Sequence, residues 1–143
     1  MNKENKPTEK DLIRFLNKIN HEFTPPLNNK INITLYARKL IEKALFFYTA
    51  DKEKILSCCA MYANDYNTLT AYLSILAVHP SCRNSGIANK LLLQAENKLK
   101  KDNFKKISLE VYKNNKIAIK LYEKNGFKLI FESEFSLYMT KDL

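Results

Sequence analysis

The stretch RNSGIA, Arg83 to Ala88, offers the first chemistry in this chain. It follows an apolar run that ends at Val78, precedes a helical pattern, and holds one of only two glycines in 143 residues. The first amides of a helix lack partners within it and point outward with the positive end of its dipole. A strand, a short loop and a helix start therefore suit a phosphate-like anion. A ligand held by main-chain N–H groups must approach the backbone closely, and a side chain at position 86 would obstruct it. Arg83 adds a cation, and Ala88 keeps the first turn small. No Gly-Lys-Ser/Thr follows, so this is not a Walker loop, and the dinucleotide GxGxxG is absent. Taken alone, the pattern also fits a plain loop glycine.

The other reactive side chains point to less. Cys58 and Cys59 are adjacent and Cys82 stands alone, which is not a disulfide framework. The two histidines, His21 and His79, lie at no zinc-ligand spacing from a cysteine, and no metal is expected. Cys82 is read as a loop thiol, His79 before Pro80 as a turn residue, and Cys58 and Cys59 as strand packing.

These residues need a frame. Leu12, Phe15, Leu16 and Ile19 share a helical face with Thr8 as N-cap, TPPL breaks the pattern, and a second helix is expected over about 34–43. Strands follow at 44–50, 54–63 and 70–78, separated by short turns that favour antiparallel hairpins. From Ile87 the period becomes 3.6, with Ile87, Leu91, Ala95 and Leu99 on one stripe. A strand at 105–111, a helix ended by Gly126, and strands near 127–131 and 135–140 complete the order. This is an α/β (α+β) domain of three layers, helices flanking a mixed, mostly antiparallel sheet, with residues 1–143 read as one domain.

Composition bounds the class. The chain is 45% hydrophobic and 27% charged, with no window near the roughly 18 apolar residues of a membrane span and no signal-peptide pattern at MNKENKPTEK. The expected location is cytoplasmic. Of the net charge of +9, most lies between Arg83 and Lys128, where twelve Lys or Arg face four acids. A basic surface favours a polyanion such as nucleic acid, a membrane face or a phosphate-rich cofactor. The lysines follow solvent-facing helix positions rather than clustering with stacking aromatics, so neither nucleic acid nor membrane is the expected partner. A Lys-, Asn- and Ile-rich composition accounts for much of the charge.

The segment from Leu76 to Phe127, roughly a third of the chain, resembles the GNAT superfamily of acetyl-CoA-dependent N-acetyltransferases. Their signature runs from an apolar strand into a loop with Gln or Arg, two residues, Gly, one residue, then Gly or Ala. Here it reads LAVHPSCRNSGIANKLL. About thirty residues on, relatives show an LEV strand, an asparagine, an alanine three later, and a tyrosine before EKxGF. This chain has LEVYKNNKIAIKLYEKNGF, with Asn115, Ala118, Tyr122 and Gly126 in those places.

The resemblance implies a three-layer GNAT-like fold and acetyl-CoA as co-substrate. The coenzyme A pyrophosphate would sit on the amides of Arg83, Asn84, Ser85, Gly86, Ile87 and Ala88. The pantetheine arm would pair with the strand carrying Leu76, Ala77 and Val78 where it splays from the SLEV strand. Asn115, with Ala118 a turn on, would hydrogen-bond the arm or order the helix start. An uncharged amine would attack the thioester directly in a ternary complex, which needs a base for its proton and an acid for the departing thiolate. By resemblance the base is Glu110, or a water chain, and the acid is Tyr122, which also borders the cofactor.

Relatives usually open with a strand before the first helix, and here only MNKENKP precedes it, so that strand is short or missing. The region from His21 to Asn32 becomes the acceptor-binding segment. The aromatics Phe46, Phe47, Tyr48, Tyr62, Tyr66 and Tyr72 are expected mostly in the core, with some free to line an acceptor cleft. The acceptor, a small-molecule or peptide amine, is not legible, and a homodimer stays open. The rival from another class is a non-catalytic acyl-CoA-binding or regulatory module of the same fold.

Overall fold

The computed structural model describes residues 6–143. The question of a first strand in MNKENKP falls largely on residues 1–5, outside the described ones.

Helix α1 (Glu9–Ile19) starts where the Thr8 hydroxyl accepts from the Asp11 N–H at 3.1 Å. Helix α2 (Ile33–Lys43) begins at Asn32, whose side chain accepts from the Leu35 N–H at 3.0 Å. Each cap satisfies an amide that the helix cannot. α1 buries Leu12, Phe15, Leu16 and Ile19, and α2 buries Ile33, Ala37 and Leu40. These pack with Phe46, Ile55, Cys58, Ala60, Ile75 and Ala77 on one face of the sheet.

Six strands follow: β1 (Leu45–Asp51), β2 (Lys54–Asp65), β3 (Thr70–Val78), β4 (Lys106–Tyr112), β5 (Lys128–Glu132) and β6 (Ser136–Asp142), in the order β1-β2-β3-β4-β6-β5. Helices α3 (Ile87–Lys101) and α4 (Lys116–Lys124) cover the other face, where Leu91, Leu92, Ala95, Leu99 and Tyr122 meet Cys59, Met61, Leu73, Ile107, Leu109 and Met139. The expected three layers are present, and among the described residues β3 and β4 are the one parallel pair of five.

Two features open the middle of the sheet. β3 and β4 pair only between Thr70–Tyr72 and Lys106–Ser108, so their C-terminal halves part. β3 also carries a bulge, since Ala60 faces Ile75 while the next residue of β2, Met61, faces Leu73. The extra residue, Ser74, lets Leu73 face α3 while Ile75 and Ala77 face α1 and α2. An unpaired strand stretch presents open main-chain N–H and C=O groups, and here they line the gap at the centre of the molecule.

Candidate active site

β3 ends at Val78, and a single 3₁₀ turn, Pro80–Cys82, leads to α3. The His79 N–H donates to the Leu56 carbonyl at 2.7 Å, and its Nδ1 accepts from the Ser81 N–H at 3.1 Å. His79 is thus the turn residue expected of it. The Ser85 hydroxyl donates to the Cys82 carbonyl at 2.5 Å, and Asn84 at φ 61° with Gly86 at φ 78° bends the chain into α3.

The helices differ at their starts. Thr8, Asn32 and Asn115 cap α1, α2 and α4, whereas no side chain caps α3. Its first N–H groups, from Ile87 and Ala88, therefore keep their donors. A Cβ built on Gly86 would meet nothing within 4 Å. The glycine is required by its left-handed backbone, and the space beside it is open. Arg83 is engaged elsewhere: its guanidinium bonds Glu22 just beyond α1. The side-chain charge expected to serve an anion in this loop instead ties the loop to the turn after α1.

Asn115 resolves as a helix cap, its side chain accepting from the Ala118 N–H at 3.2 Å. Ala118 lies half-buried against the core, and Leu76 packs on the α3 side while Ala77 faces the other way. Tyr122 projects from α4 into the interior, tilted against the Phe127 ring at 5.6 Å between centroids. Burial raises its pKa, and the nearby Cys59 and Tyr72 push the same way, so the phenol holds its proton throughout the ordinary pH range.

Glu110 sits on the opposite sheet face. On β4, Ile107, Leu109 and Val111 are buried toward α3 and α4, and alternation turns Ser108, Glu110 and Tyr112 to the α1 and α2 side. The Glu110 carboxylate accepts a 2.8 Å hydrogen bond from the hydroxyl of Ser136, itself 2% exposed. Glu110 and Tyr122 therefore approach the β3–β4 gap from opposite faces. Tyr72, at the last paired position of β3, is the link: it is close enough to both to interact electrostatically with each.

Ser136 is the residue the sequence did not point to, and Tyr72, grouped there with aromatics expected mostly in the core, is instead 40% exposed beside the gap. The stretch TAYLS carried a signal for Tyr72, a polar-tipped ring between Ala71 and Leu73, which are both buried. Nothing in the sequence pointed to Ser136, because its bond to Glu110 depends on the β4–β6 register.

A cleft of about 420 Å³ opens on the same side as Glu110. It is lined by Thr24 and Pro25, by Tyr112, Lys113 and Asn114 at and just past the end of β4, and by Glu134 and Phe135 in the turn before β6. Of the region 21–32, Thr24 and Pro25 contribute to it, and the Asn114 amide donates to the Thr24 carbonyl at 3.5 Å. Among the described residues no three His, Cys, Asp or Glu side chains are grouped to hold a metal, and no helix is long and apolar enough to cross a membrane.

Residues 12–127 match the model of the acetyltransferase (GNAT) family. The chain belongs to the GNAT acetyltransferase family. It is 30% identical over 88 residues, 62% of its length, to GCN5-related N-acetyltransferase 6, chloroplastic, of Arabidopsis thaliana, and spans 30% of that relative. Among solved structures it is similar to the PaiA N-acetyltransferase of Thermoplasma acidophilum in complex with coenzyme A, with TM-score 0.73, 19% identity and 96% of each chain covered. It is also similar to a ribosomal-protein-alanine N-acetyltransferase of Escherichia coli, with TM-score 0.74, 21% identity, and 96% and 90% of the two chains covered. In this GNAT chain the uncapped α3 directly follows β3, the strand that borders the gap.

Proposed function

We propose that this protein transfers an acetyl group from acetyl-CoA to a primary amine by direct attack in a ternary complex, with residues 1–143 acting as a single domain. The observation that carries the reading is the uncapped start of α3 beside an open stretch of β3, against three helices whose starts are capped. In this reading the amides from Arg83 to Ala88 hold the diphosphate, and the open edge of β3 at Leu76, Ala77 and Val78 pairs with the pantetheine arm. Those same groups set the thioester in the gap between Glu110 and Tyr122.

The incoming amine must shed a proton before its lone pair can attack. In this reading Glu110 takes it, directly or through water, and the hydrogen bond from the Ser136 hydroxyl, which orients the carboxylate, supports that role. Tyr122 faces the leaving sulfur and stabilises its developing charge by donating a hydrogen bond. Even with ordinary pKa values near 10 and 8.5, full transfer from a phenol to a thiolate is uphill by about 2 kcal/mol, and burial of Tyr122 adds to that. The proton that completes the thiol therefore comes from solvent or from the new ammonium, with Tyr122 acting as donor in the transition state. Three unpaired cysteines suit a reducing, cytoplasmic setting.

A thiol-release assay over a panel of amines, run beside calorimetric titration with coenzyme A, tests this reading. Firm binding with turnover on at least one amine supports it. Firm binding with no turnover on any amine favours the regulatory module instead.

A further inference from the structure

One amine is already stationed at the cleft. Lys30 ends the 3₁₀ turn Leu27–Asn29, where its N–H donates to the Leu27 carbonyl at 3.1 Å, and its ammonium lies over the ring of Tyr112, 4.3 Å from the centroid. Tyr112 lines the cleft and is the next residue after Glu110 on the same face of β4, about 7 Å along the strand. Lys30 makes no ion pair among the described residues, whereas Lys113, also at the cleft, is bound to Glu132 at 2.7 Å. The loop bearing Lys30 is pinned at both ends, by the Asn28 N–H on the Asn20 side chain at 2.7 Å and by Asn114 on Thr24.

We infer that Lys30 is a self-acetylation site, modified within its own chain by the bound acetyl donor. The inference rests on the proposed acetyl transfer. A ring face attracts an ammonium electrostatically, which raises the local presence of Lys30 at the mouth of the site without fixing it in a salt bridge. A four-carbon stem lets Nζ swing from the ring toward Glu110.

Lys30 Nζ gives one proton of its ammonium to Glu110 or to water, attacks the thioester carbonyl carbon and forms a C–N bond; the nitrogen then releases a second proton to solvent as the C–S bond breaks. The thiolate leaves with a hydrogen bond from Tyr122 and is protonated by solvent, giving acetyl-lysine and free coenzyme A. The modified side chain loses its charge and its hold on Tyr112, which frees the ring for an external amine.

The test incubates the full chain with isotope-labelled acetyl-CoA, without added amine, and follows each lysine by peptide mass spectrometry. Lys30 should label at least tenfold faster than the average lysine, with a half-time unchanged when the protein is diluted tenfold. Tyr122→Phe should slow that labelling in parallel with turnover, Tyr112→Leu should slow it about two- to fivefold, and Lys30→Arg should remove it without a new site replacing it. Turnover on a free amine with Lys30 labelled no faster than other lysines overturns the inference and leaves the proposed function standing. No labelling and no turnover on any amine, with coenzyme A bound, overturns both.

Discussion

Replacing Gly86 by alanine separates folding from binding. The residue sits at φ 78°, and a Cβ there would touch no atom within 4 Å, so no clash opposes it and the penalty is backbone strain alone. Placing a non-glycine residue in the left-handed region costs about 1–2 kcal/mol, which in a domain of this size lowers Tm by roughly 3–8 °C. Asparagine tolerates that region better, so Gly86→Asn should cost less stability than Gly86→Ala. Binding should not follow the same order, because both side chains enter the space from which a diphosphate would approach the α3 amides. Losing one hydrogen bond to a charged ligand costs about 1.5–3 kcal/mol, which is about a 10- to 150-fold rise in Kd for coenzyme A. Thermal unfolding and calorimetric titration on both variants read the two quantities separately. If Tm falls as expected while Kd stays at its wild-type value in both variants, the amides of this loop do not hold the diphosphate.

Tyr122→Phe should lower turnover by about 10- to 1000-fold with little change in coenzyme A affinity, read from steady-state kinetics beside titration, and unchanged turnover would remove Tyr122 from the mechanism. The buried phenol should also stay protonated, so no loss of rate between pH 9 and 10 should disappear in that variant. Of the three thiols, only half-exposed Cys82 should react quickly with a thiol reagent at pH 8, and coenzyme A should slow it, since Cys58 and Cys59 are fully buried. Burial pushes Cys58 up to about 12 from 9.0, so the unfolded chain releases that proton first. The stability it contributes is complete below pH 9 and is lost as pH rises toward 12, about 2 kcal/mol by pH 10.5. Urea midpoints at pH 8 and 10.5 should show a fall that is smaller in Cys58→Val.

Periodicity made the frame legible. The stripe from Leu12 to Ile19 and the one from Ile87 to Leu99 became α1 and α3, and the short turns at DKEK and NDYN made the hairpins of β1, β2 and β3. The signature loop was legible too, because scarce glycine marks positive φ, and both glycines have it. The electrostatics were harder to read. Arg83 finds its carboxylate at Glu22, 61 positions away, a pairing set by how the turn after α1 folds back over the loop. The bulge at Ser74 reverses which side chains of β3 face α3, and neither propensity nor alternation announces it. The bond from Ser136 to Glu110 and the cleft between Thr24 and Phe135 depend on strand register and loop return, which are tertiary facts.

Whether the start of α3 and the open edge of β3 hold an acyl carrier is decided by a crystal structure of the protein with acetyl-CoA. Diphosphate oxygens should lie within hydrogen-bond distance of the N–H groups between Arg83 and Ala88, with the thioester between β3 and β4 near Tyr122. Acetyl-CoA bound elsewhere, with the start of α3 facing only solvent and β3 unpaired past Tyr72, would contradict this.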